Sequence, residues 1–120
     1  MQLLVPFMGP STNDIYSGIH FRERMKHKGQ ALIALARLGH IQPFSGPVNI
    51  EVTPQLGKGK RTYDVSNYSY TYKLIEDALV TKQILIDDTP QYVQSVKFNC
   101  PVRTGEFSSA MLIKIEVVNG

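Results

Sequence analysis

A single cysteine, Cys100, in 120 residues excludes an intrachain disulfide and leaves no second sulfur for a zinc or redox motif. A buried structural thiol is the expected state of such a residue. Long apolar runs are also missing. None approaches the roughly 18 to 20 residues that a bilayer span needs, so no membrane partner is expected. The N-terminal MQLLVPFMGP has no basic region and too short an apolar stretch for a signal peptide, which predicts a cytoplasmic protein. Repeats and low-complexity tracts do not occur. GKGK lacks the spacing of a phosphate-binding loop. His20, His27 and His40 show no metal spacing supported by acids and read as surface residues. Ser108 and Ser109 have no neighbouring acid-base partner and read as polarity at a strand start.

What is present is ordinary for a globular chain: 42% hydrophobic and 19% charged residues, at a length suited to one domain with one modest core. Thirteen Lys and Arg against ten Asp and Glu give a net charge of +3 and a pI near 9.1, a mild bias toward a polyanionic partner. The distribution says more. HFRERMKHK carries Arg22, Arg24, Lys26 and Lys28 opposed only by Glu23, and GKGKR carries Lys58, Lys60 and Arg61 just before Asp64. Such clusters attract a phosphate backbone without regard to base sequence. A solvated helix face and a polar hairpin would account for the same charges.

Periodicity predicts the scaffold. Leu3 to Phe7 reads as a short strand ended by Gly9-Pro10, with STNDIYSG as a loop. Met25, Leu32 and Leu35/Ala36 recur at helical spacing and predict a helix from about Phe21 to Leu38, stopped near Gly39. VNIEV alternates as a half-buried strand, and GKGKRTY follows as a turn or exposed strand end. A second helix is expected from about Asn67 to Lys82, with Asp64, Ser66 or Asn67 as N-cap. On it Tyr68, Tyr72, Ile75 and Leu79 share one arc, read as core, while Tyr70, Lys73 and Asp77 lie opposite. Lys73 and Asp77 stand at i and i+4, the spacing of a surface ion pair. Strands are expected at about Tyr92 to Phe98 and Ala110 to Val118, joined by a hairpin-like PVRTGE. The order β-α-β-α-β-β predicts a single α+β (mixed α/β) domain over residues 1–120 with a small mixed sheet.

Asp64 precedes the second helix, and Asp87 and Asp88 follow it beyond Ile84-Leu85-Ile86. If that apolar tripeptide carries the chain back beside the helix start, Asp64 and Asp88 converge. Carboxylates without His or Cys partners suit a hard cation such as Mg²⁺, which keeps several waters and takes phosphate oxygens. That combination belongs to phosphodiester chemistry, with Lys73 offsetting charge on the phosphate.

Three stretches carry a resemblance: PSTNDIY, YDVSN leading into KLIEDALV, and ILIDDTPQYV. Together they resemble the RusA family of Holliday-junction resolvases, small endodeoxyribonucleases of bacteria and their phages. The resemblance covers most of the chain and implies a homodimer that cleaves four-way or branched DNA with Mg²⁺, Mn²⁺ being a possible substitute. It makes Asp64 and Asp88 the catalytic and metal-binding acids, with Asp87 as a further ligand and Asp77 and Lys73 in the catalytic group. Arg22, Arg24, Lys26, Lys28, Lys58, Lys60 and Arg61 become DNA-backbone contacts. Asn13, Tyr16, Ser66 and Asn67 support the site, although an Asx-turn explains Asn13 equally well. The family's second acid, two residues after the first, is Ser66 here, and three extra residues separate Asn67 from KLIEDAL. Loss of that acid leaves open a relative that binds branched DNA without cutting it. A small interaction protein that reuses the scaffold is the more distant alternative.

Overall fold

A computed structural model describes residues 1–18 and 21–118; the expectation for His20 lies outside them. The alternation of VNIEV runs on through strand β2 (Val48–Leu56), where Val48, Ile50, Val52, Pro54 and Leu56 are buried and the residues between them face away. One edge of β2 pairs antiparallel with β5 (Ala110–Val117) and the other pairs parallel with β3 (Val93–Phe98). β1 (Gln2–Val5) lies antiparallel on the far side of β5, giving the order β1-β5-β2-β3. The fold is therefore α+β around a mixed sheet, as the element order predicted.

A proline inside the central strand needs explanation, because it has no N–H to give to a ladder. Asn99 N donates to Val52 O at 2.8 Å, so by alternation the even-numbered residues of β2 turn their backbone groups toward the β3 edge. Pro54 therefore faces that edge. Pairing breaks there, between the Val52–Phe98 match and the Gln55–Val102 match made by the two-residue strand β4 (Val102–Arg103). Cys100 sits in the break and is exposed, which corrects the expectation of a buried thiol: the chain has left the sheet and no strand covers it. PVRTGE is likewise not a hairpin. β4 and β5 lie on opposite sides of β2, and the connection passes over the end of that strand. Gly57 N donates to Ser109 Oγ at 2.8 Å and Lys58 N to Glu106 O at 2.9 Å.

The helices cover the apolar face of the sheet. STNDIYSG, expected as a loop, contains the short helix α1 (Thr12–Tyr16), because Ser11 accepts from Asp14 N and Ile15 buries its side chain. Helix α2 (Phe21–Ala36) ends at Ala36 rather than Leu38, and Gly39 turns the chain at φ +80°. Ala31, Ala34 and Leu35 pack into the core, whereas residues 21–26 are all exposed. Met25, which shares the helical spacing of Leu32 and Leu35, is thus solvent-facing at this end of the helix. A 3-10 turn (Val65–Tyr68) leads into α3 (Ser69–Thr81). Tyr68, Tyr72, Ile75 and Leu79 are all buried, as their shared arc predicted. Among the described residues no helix is long and apolar enough to cross a membrane.

The end of α3 decides where Asp88 goes. Ile84 N donates to Leu79 O and Gln83 N to Val80 O, both at 2.9 Å, the paired bonds of a Schellman stop. The residue that must turn left-handed is Gln83, at φ 61°, where glycine is the usual occupant. Ile84 and Leu85 then bury themselves and lead the chain back along the helix. Replacing Gln83 with glycine removes a Cβ clash at unchanged hydrogen bonding. Gln83→Gly is expected to raise stability by about 1 kcal/mol. Urea denaturation would check this, and a loss of stability would refute it.

Candidate functional site

The N-terminal segment is tied to the start of α3 through small polar groups. Gly9 N donates to the buried Thr71 Oγ1 at 3.1 Å. Thr12 Oγ1 lies 3.2 Å from Asn67 O and 2.9 Å from Ser69 Oγ, and accepts from Tyr70 N at 3.1 Å. Asn13 donates its backbone N–H to Asn67 Oδ1 at 3.1 Å. PSTN and YDVSN are therefore one place in the fold. Among the described residues the Asn13 side chain makes no hydrogen bond, so the Asx-turn explanation fails; it is the Asn67 side-chain oxygen that accepts the Asn13 backbone N–H.

Lys73 is the centre of the charged cluster. Its Nζ lies 2.6 Å from Asp88 Oδ2, 3.0 Å from Glu76 Oε1 and 3.4 Å from Asp77 Oδ1. The last contact is the i to i+4 pair that the spacing predicted; the first joins residues 15 positions apart. Burial works to lower the pKa of Lys73, but the hydrogen bonds to Asp88 and Glu76 and the charges of Glu76 and Asp77 outweigh it and raise the value. The Lys73 hydrogen bond and charge hold Asp88 below the usual carboxylate range, assisted by a hydrogen bond involving Asp87. Asp87 Oδ1 accepts from Asp88 N at 2.8 Å, so one of its oxygens is occupied in positioning its neighbour.

Glu76 was not foreseen. Its carboxylate is buried and receives the Tyr72 hydroxyl at 2.6 Å as well as Lys73. Burial first, and the bond to Glu76 second, raise the Tyr72 pKa above its ordinary value. The signal lay in spacing: Glu76 follows Tyr72 by four residues and so borders the buried arc. Thr12 and His27 were also missed. His27 Nδ1 is 3.0 Å from Tyr70 Oη with the rings edge to face, which brings the basic half of α2 beside α3. It is half-buried, not the surface residue expected.

Asp64 stands at the N-cap position of the 3-10 turn, but its side chain makes no capping bond. It is exposed, as is Ser66. No hydrogen bond or ion pair joins Asp64 to Asp88, and among the described residues no three His, Cys, Asp or Glu side chains form a group that could hold a metal. The acids instead gather on Lys73. The donor set nevertheless suits a largely hydrated Mg²⁺, which needs only one or two carboxylates. The Asp64 carboxylate is open, and Asp88 is about one-third exposed. A cleft of about 460 Å³ adjoins the cluster, lined by Thr12, Tyr16, Tyr70, Lys73 and Glu76 among others. Tyr16, a supporting residue by the resemblance, lines this cleft and is exposed. Arg22, Arg24, Lys26, Lys28, Lys58 and Arg61 are exposed, and Lys60 is half-buried with its Nζ 5.6 Å from the centre of the Tyr63 ring.

These shifts fix a pH window. Asp88, lowered from 3.8, stabilises the fold above that value and loses the contribution as pH falls through its folded pKa. Lys73, raised from 10.5, stabilises below that value and loses the contribution as pH rises through its folded pKa. Asp88→Asn should therefore lower the urea midpoint at pH 7, modestly because the pair is open to solvent, and the deficit should shrink at pH 3. An equal deficit at both pH values would show that charge is not its source. No protein-family model matches the chain, and no curated protein matches it.

Proposed function

We propose that the protein is a Mg²⁺-dependent endodeoxyribonuclease of the RusA type, acting as a homodimer on four-way or branched DNA. The observation that supports this reading is the meeting of the three resembling stretches: Thr12 and Asn13 on Asn67, and Lys73 on Asp88. Residues far apart in sequence form one acidic and basic cluster beside an open cleft.

The chain's groups divide the work by their protonation. Lys73 keeps its proton across the physiological range, so it is a fixed positive charge for the scissile phosphate and not a base. Asp88 stays ionised and, with Asp64, offers the carboxylate oxygens that would hold Mg²⁺. The bound ion would supply polarisation of the phosphodiester and a lowered pKa for the attacking water. Glu76 fixes the Lys73 stem in place, and Tyr72, which retains its proton, holds Glu76. Asp77 is a further acceptor at the edge of the cluster. The basic residues of α2 and of GKGKR would supply phosphate contacts. A two-fold dimer would present equivalent sites to opposing strands of a junction with matching symmetry.

Ser66 in place of an acid, and carboxylates already neutralised by Lys73, favour a second reading in which the protein binds branched DNA without cleaving it. One assay separates the two: a labelled four-way junction beside a linear duplex of the same sequence, with Mg²⁺ or EDTA. The nuclease reading expects Mg²⁺-dependent cuts confined to the junction, reduced about 100-fold or more in Asp88→Asn and in Lys73→Ala. Junction binding without cuts in Mg²⁺ and in Mn²⁺ selects the second reading. Absence of junction binding removes both.

A further inference from the structure

Phe107 is the most exposed large hydrophobic side chain described, at 84%. A single exposed apolar residue is ordinary, but this one is held by a rigid backbone. Gly57 lets the β4–β5 connection lie directly on the end of β2: a Cβ at Gly57 would come within 2.3 Å of Phe107 O. The hydrogen bonds from Gly57 N to Ser109 Oγ and from Lys58 N to Glu106 O lock the two segments on either side of that contact. Arg103 Nη2 donates to Lys60 O at 2.8 Å and lies 3.3 Å from Thr62 Oγ1, securing the rest of the arm.

The surroundings of the ring are cationic. Lys58 Nζ sits 4.9 Å from its centroid. Residues 57–63 and 102–109 carry Lys58, Lys60, Arg61 and Arg103 against Glu106 alone. Lys60 lies over Tyr63, whose ring is 5.3 Å from that of Tyr68, and Asp64 follows directly. An aromatic face among cations suits a nucleic-acid strand with an unstacked base: phosphates meet the charges and the base meets the ring. Bases inside a continuous duplex offer no free face, whereas bases at a branch point do.

We propose that Phe107, presented on the arm formed by residues 57–63 and 102–109, stacks on the free face of an unstacked base at the branch point of branched DNA and so selects branched over linear substrate. This rests on the reading that the protein binds DNA junctions. The chain contains no tryptophan, so Phe107→Trp places a single stacking reporter at the site. In EDTA, which removes cleavage from the experiment, its emission should be quenched by a four-way junction and by a single-stranded oligonucleotide, and should not respond to linear duplex. Phe107→Ala should weaken junction binding about tenfold and leave duplex binding and thermal stability as in the wild type. Undiminished junction affinity in Phe107→Ala, or emission unchanged in a complex that forms, would overturn the stacking inference alone. Failure of the wild type to bind a junction at all would overturn the functional reading and this inference together.

Discussion

A carboxylate buried beside a tyrosine organises the charged end of the molecule. Glu76 has little access to water, so its charge must be met from within. Tyr72 supplies one bond and Lys73 the other. Once the lysine is drawn to Glu76, its ammonium is in place to receive Asp77 from the same helix and Asp88 from the returning chain. A positive charge with three carboxylates around it is the feature on which the remaining site geometry depends.

That arrangement needs a frame that returns the chain to the right height on α3. The Schellman stop at Gln83 and the burial of Ile84 and Leu85 provide it. The sheet carries α3 as the crossover between parallel β2 and β3. The N-terminal segment is positioned by Thr12 and Thr71, which satisfy backbone groups at the beginning of α3. Acidic cluster, cleft and basic segments are thus parts of one framework.

Legibility followed the physics of each element. The strand alternation at Val48 to Val52 and the arc Tyr68, Tyr72, Ile75 and Leu79 were readable because one buried face imposes a strict period. Met25 shares the helical spacing of Leu32 and Leu35 yet is exposed, because spacing reports a possible face and not what covers it. Ser11 capped a short helix within a stretch that reads as a turn, since the same residue types serve both. Cys100 looked buried by residue type, yet lies where Pro54 denies β3 a donor and the ladder breaks.

Sequence alone determined the order of the longer elements, the core arc of α3, the Lys73–Asp77 pair and the two basic segments. These depend on local period and local spacing. Tertiary structure decided which acids meet: Asp88 and Glu76 join Lys73, while the Asp64 side chain remains open to solvent. It also decided that PVRTGE would cross β2 and set Phe107 on the Lys58 arm. Such contacts span up to dozens of residues, and their formation depends on strand partners and on the direction of the chain after α3. A one-dimensional pattern carries neither.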